Sequence, residues 1–160
     1  MSFVPIIMGS AADLEHGKSV AVALAAFGIE SELRIASAHK SPTFLVNQLR
    51  QYERDDQRPK VYITIAGLSN ALSAFVDGQV TAPVIACPPY SDRFGGADLF
   101  SSLRMPSGIA PLVVLSPSGA ALAAAKIFAV HDPDIRERIH ALQVAGAERI
   151  VADDAALRSS

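Results

Sequence analysis

Four short runs of this chain are apolar almost without interruption, and turn residues or proline bound each one. They are Phe3 to Met8, Lys60 to Ala66, Pro83 to Ala86 and Ala110 to Leu115. A half-buried strand alternates apolar and polar side chains. An unbroken run therefore needs burial on both faces, as inside a parallel sheet. A fifth segment, Glu30 to Ala36, alternates Leu33 and Ile35 with Glu32 and Arg34, which places it nearer a sheet edge.

Helical spacing fills the gaps. Asp13 to Phe27 carries Leu14, Val20, Ala21, Leu24 and Ala25 near one face, and Gly28 follows as a C-cap. Pro42 to Arg54 has Ser41 as N-cap and proline at its first position. Ser69 to Asp77 is a short helix that Gly78 ends. Pro117 to Val130 is alanine-rich, with Ser116 as N-cap. Pro133 to about Ile150 is amphipathic, and Ala152 to Ser160 reads as a polar tail expected to fray. Strands alternating with helices predict a three-layer α/β sandwich with a parallel sheet and right-handed crossovers.

The 160 residues read as one domain, 1–160. A chain that is 50% hydrophobic and 19% charged can bury a core and is not disordered. A formal net charge of -2 without a basic cluster argues against a nucleic-acid partner. Cys87 is the only cysteine, so an intrachain disulfide is excluded. No signal-peptide pattern and no apolar run of membrane-spanning length is present, so the expectation is a soluble cytoplasmic protein without a membrane partner.

Three segments place small polar residues just after a strand. They are Gly9-Ser10-Ala11-Ala12-Asp13, Ser37-Ala38-His39-Lys40-Ser41 and Gly67-Leu68-Ser69-Asn70. In an open parallel sheet the loops leaving the strand ends converge on one crevice. Together they would supply glycine turns, hydroxyls, one carboxylate, one imidazole and one ammonium, the inventory for a phosphorylated small molecule plus proton transfer.

Each segment also has a plain local reading. Ser10 and Ser69 would cap helices, Asp13 would favour a helix dipole, and His39 and Lys40 would be ordinary loop residues. The long connection Cys87 to Ser107 is a further candidate functional loop, in which Arg104 is placed to brace a pocket. His16, His131 and His140 lack a ligand-like pattern and read as structural or surface residues, so no metal site is expected. Neither G-x-G-x-x-G nor G-x-S-x-G occurs, and Cys87 has no histidine near it in sequence to make it a nucleophile.

Taken together the segments resemble the phosphoribosylaminoimidazole (AIR) carboxylases of purine biosynthesis, in their class II, animal-type branch. The matching stretches are Met8-Gly9-Ser10-Ala11-Ala12-Asp13, Ser37-Ala38-His39-Lys40, Ala66-Gly67-Leu68-Ser69-Asn70-Ala71-Leu72, Cys87-Pro88-Pro89, Ser101 to Gly108 and Leu115-Ser116-Pro117. They run in order from about Val4 to Phe128. Class I mutases usually carry Arg after Ser-Ala-His and a histidine-containing, Gly-Ala-rich third loop. Lys40 and Ser69-Asn70 follow class II instead. Leu68 stands where class II usually has Arg.

The resemblance implies flavodoxin-like subunits in a homo-octamer, with active sites at subunit interfaces. It implies a carboxy-lyase that joins CO2 to AIR, giving 4-carboxy-AIR (CAIR), reversibly and without ATP, metal or other cofactor. By the same resemblance, Ser10, Asp13, Ser37 and Lys40 hold the ribose phosphate. Gly67, Ser69 and Asn70 line the CO2 pocket, and His39 is the general base. The alternatives on the same scaffold are the class I rearrangement and a non-catalytic nucleotide-binding module.

Overall fold

The computed structural model describes residues 1–159, and the side chain of Arg93 lies outside the described residues. Strands β1 (Phe3–Met8), β2 (Glu30–Ile35), β3 (Tyr62–Ile65), β4 (Val84–Ala86) and β5 (Leu112–Val113) form one sheet. Its order is β2-β1-β3-β4-β5, and every pairing is parallel. This is a flavodoxin-like α/β fold, whose order reverses between β1 and β3.

Two-sided burial follows from the side-chain alternation of each strand. Val4, Ile6 and Met8 of β1 face one layer, with Ile63, Ile65 and Ile85. Phe3, Ile7, Tyr62 and Val84 face the other. Helices α1 (Leu14–Ala25), α5 (Pro117–Phe128) and α6 (Pro133–Arg158) cover the first face. Helices α2 (Pro42–Asp55) and α3 (Ala71–Asp77) cover the second, through Leu45, Leu49, Leu72 and Val76, and the one-turn helix α4 (Phe100–Leu103) lies in the connection between β4 and β5. Ala120, Ala121, Ala124 and Ala125 of α5 are fully buried, and their small side chains let α5 lie close against α1.

The sheet edge remote from the strand-end loops is closed by polar pairs. Tyr52 donates to Glu32 at 2.7 Å, Tyr62 donates to Glu53 at 2.8 Å, and the Arg58 guanidinium stacks 4.1 Å over Phe3.

Three expectations need correction. The run Ala110 to Leu115 was expected to be buried on both faces, yet only Leu112–Val113 pair, at the sheet edge, and Leu112 and Leu115 are exposed. Pro111 has no N–H for a ladder, so the strand cannot start earlier on that side. The short third helix begins at Ala71, with Asn70 rather than Ser69 as its cap. Within the described residues the tail is helical rather than irregular. Helix α6 continues to Arg158, because residues 151–158 hold Ala, Leu and charged residues and no helix breaker.

Helix α1 lies close to the sheet through Gly17. A Cβ there would stand 2.6 Å from Met8 Sδ and 3.1 Å from Leu33 Cδ2, and Met8 is fully buried. Gly28, with φ +70°, lets the chain turn back after α1. Gly17→Val is expected to destabilise the fold by about 1–3 kcal/mol through overpacking. Urea denaturation would measure it. An unchanged midpoint would show that α1 has room to shift.

Candidate active site

Since all five strands are parallel, their C-terminal ends share one edge of the sheet, and the loops that follow β1, β2 and β3 meet there. They enclose a cavity of about 480 Å³. The first loop contributes Gly9, Ser10, Ala12 and Asp13. The second contributes Ser37, Ala38, His39 and Lys40. The third contributes Ala66, Gly67, Leu68 and Ser69, and Leu72 and Ser91 complete the lining.

Local hydrogen bonds shape each loop. Ser10 leaves β1 in extended conformation and does not cap the following helical turn. Its hydroxyl donates to Asp13 Oδ2 at 3.2 Å. In the second loop the Ser37 N–H donates to Ser41 Oγ at 3.0 Å, and the Lys40 N–H donates to Ser37 Oγ at 3.2 Å. Ser41 is thus spent on closing this turn rather than on capping α2. The turn holds His39 and Lys40 outward. Both are exposed, and among the described residues neither side chain makes a hydrogen bond or ion pair. They are therefore free to engage a ligand.

The third loop turns on Leu68. The Ser69 N–H donates to the Gly67 carbonyl at 2.8 Å, closing a three-residue turn with Leu68 at its centre, at φ +63°. Turns of this hand are rare and strained in non-glycine residues, and strain of about 1–3 kcal/mol persists only where surroundings enforce it. Asn70 provides that enforcement. It is buried, its N–H donates to Ser101 Oγ at 3.0 Å, and its Nδ2 donates to Ser102 Oγ at 2.8 Å. Its Oδ1 accepts from the Ser73 N–H at 3.3 Å.

Seven of the eight sequence-designated residues therefore line one cavity: Ser10, Asp13, Ser37, His39, Lys40, Gly67 and Ser69. Asn70 does not. Its buried amide caps α3 through Oδ1 and donates to Ser102 through Nδ2. Arg104 is exposed and lines neither this cavity nor its neighbour. The contribution of Ser91 was not legible, since it belongs to an irregular connection with no periodicity to place it. The pinning serines Ser101 and Ser102 lay inside a recognised motif, but no spacing signals their contact with Asn70, thirty residues earlier.

Beneath the first loop, His16 Nε2 lies 3.3 Å from Cys87 Sγ. Cys87 is fully buried, and burial pushes its thiol up to about 12, so it is not a nucleophile at neutral pH. Among the described residues, no three His, Cys, Asp or Glu side chains are grouped so as to hold a metal ion. No described helix is long and apolar enough to cross a membrane.

The family model for AIR carboxylase matches residues 3–149. The chain belongs to the AIR carboxylase family. All three cavity loops and the long connection fall within the matched span. A phosphoribosylaminoimidazole carboxylase of Treponema denticola is 52% identical over 155 residues, covering 97% of each chain. A protein of the same name from Archaeoglobus fulgidus is 52% identical over 153 residues, 96% of this chain and 83% of its own. The crystal structure of Treponema denticola PurE superimposes with a TM-score of 0.95 at 51% identity, covering 97% of this chain and 98% of that one. The flavodoxin-like fold is thus shared with Treponema denticola PurE.

Burial holds the His16 imidazole below its ordinary value of 6.5, partly offset by Cys87 and Asp13. The unfolded chain therefore takes up this proton at a higher pH than the folded chain. Stability is full above about pH 6.5 and declines as the pH falls toward the lower folded value. His16→Gln is expected to flatten this part of the profile, read as a smaller drop in Tm between pH 7.5 and 5.5. An equal drop in both proteins would remove His16 as its source.

Proposed function

We propose that the chain is a class II carboxylase that joins CO2 to carbon 4 of AIR, giving CAIR, in the cytoplasm and as a homo-octamer. The observation that carries this reading is the meeting of Asp13, Ser37, His39 and Lys40 in one cavity with the third loop. Lys40 in the Ser-Ala-His-Lys stretch favours class II over the mutase branch. The distal half of α6 leaves Leu142, Ile150 and Val151 exposed, apolar surface that an assembly would cover.

The chemistry asks for positioning and one proton carrier. The Lys40 ammonium and the Ser10 and Ser37 hydroxyls suit the phosphate, and the Asp13 carboxylate suits ribose hydroxyls. The aminoimidazole ring is electron-rich, and its carbon 4 attacks the CO2 carbon. One carbon–carbon bond forms, and a C=O electron pair moves to oxygen, giving a carboxylate. Carbon 4 then carries both this group and its original proton. His39 removes that proton, the ring regains aromaticity, and the same imidazole returns the proton in decarboxylation. An imidazole nitrogen can take up a proton and give it back, which suits transfer in both directions. Gly67 and Ser69 line the side on which CO2 would sit, and holding it against the ring supplies proximity.

The direct test follows AIR consumption spectrophotometrically at varied bicarbonate, without ATP or a second enzyme. Turnover is expected. Turnover only of the N-carboxylated nucleotide would assign the class I rearrangement instead, and turnover of neither would leave a binding module.

Two variants test the roles. His39→Asn is expected to lose roughly 10²-fold or more in kcat while still binding the nucleotide. A near-wild-type rate would remove His39 from the mechanism. Lys40→Ala is expected to raise KM for AIR more than it lowers kcat, since a phosphate contact remote from carbon 4 acts in ground and transition states alike. A fall in kcat alone would place Lys40 nearer the reacting carbon.

A further inference from the structure

A second, smaller cavity of about 170 Å³ adjoins the first. The two share Ala66, Leu68 and Ser91 as a common wall. Beyond that wall the lining is mostly apolar, with Pro88, Pro89, Leu99 and Leu115. Among the described residues, Asp98 is the only charged residue lining it, and no Lys or Arg does so.

We propose that this cavity receives CO2 and passes it to the nucleotide cavity across Leu68, an inference that rests on the carboxylase reading above. The cavity is too small for a ribonucleotide. Bicarbonate and phosphate are anions, and a mainly apolar chamber lined by Asp98, and by no Lys or Arg among the described residues, disfavours both. CO2 is small, uncharged and without a net dipole, and it is a weak hydrogen-bond acceptor. Leaving water costs it little, and apolar walls offer it dispersion contacts. The geometry thus selects the neutral gas over its hydrated form.

Leu68 belongs to both cavities because of its strained turn. The turn is fixed from the side of the smaller cavity, where Ser101 accepts from the Asn70 N–H and Ser102 accepts from the Asn70 amide. Ser101 in turn donates to the Asp98 carbonyl at 2.8 Å. The wall between the chambers is therefore set by residues of the smaller one. This gives an uncharged residue at position 68 a use: a leucine side chain divides two spaces without adding a charge that would hold an anion.

Two experiments test the assignment. Leu99→Trp places bulk in the smaller cavity, and Leu99 does not line the larger one. Rates would be measured with carbonic anhydrase present to fix the CO2 level. The expected result is a rise in KM for CO2 of roughly fivefold or more, with KM for AIR and kcat at saturating CO2 within about twofold of wild type. An unchanged CO2 dependence in the folded variant overturns the proposal. Independently, a crystal of the wild-type protein under xenon pressure is expected to show xenon in this cavity, as dry apolar cavities do. No xenon there, or a side chain from a second copy filling the space, also overturns it. If Leu99→Trp does not fold, the xenon experiment decides. A wild-type chain that does not carboxylate AIR at all would sink the carboxylase reading, and this inference with it. A wild type that carboxylates beside a variant with unaltered CO2 dependence would sink this inference alone.

Discussion

The burial of β1 and β3 on both faces is the constraint on which the rest depends. Val4, Ile6, Met8, Ile63 and Ile65 are covered by α1 and α5, while Ile7 and Tyr62 are covered by α2 and α3. A strand covered on both sides must be reached by crossovers that run over the sheet, so successive strands point the same way. Their C-terminal ends then share an edge, and every loop that leaves a strand end starts from that edge. The candidate active site is a consequence of how apolar surface is hidden.

Within that frame each loop has its own device. The first depends on α1 starting close to the end of β1, which the missing side chain at Gly17 permits. The second is a turn closed through Ser37 and Ser41, in which Ser37 Oγ only accepts and the His39 and Lys40 side chains are left unengaged. The third is held from outside, by two serines that arrive from the long connection after β4. The division of labour is chemical. His39 and Lys40 keep their side chains free, whereas Ser10, Asp13 and Ser37 also take part in the hydrogen bonds that shape their loops.

Asn70 shows how the two roles are confused in sequence. It stands beside Ser69 in the same small polar stretch, and nothing in their order separates them. In the fold Ser69 lines the cavity, whereas Asn70 turns inward to cap α3 and meet Ser102. The apolar run at 110–115 is a comparable case. Its composition matches that of β1, yet it ends as a short edge strand, because composition does not reveal that the sheet stops there or that Pro111 cannot pair. Glu30 to Ala36 was legible as an edge strand because it kept the alternation that β5 lacks.

The sequence by itself determined the layered α/β architecture, the order of strands and helices, and the identity of the three strand-end loops. These depend on periodicity and on turn chemistry, both of which act over a few residues. The stretch Ser37-Ala38-His39-Lys40 could likewise be singled out by local order alone. Only the tertiary structure decided that Asn70 is a pin, that Ser91 lines the larger cavity and that Leu68 lines both cavities. Those outcomes depend on contacts between segments distant in the chain, and on which polar groups packing brings within reach of one another. A side chain turned toward a distant partner is turned away from the cavity, and that distant partner is set by packing rather than by neighbours in the chain.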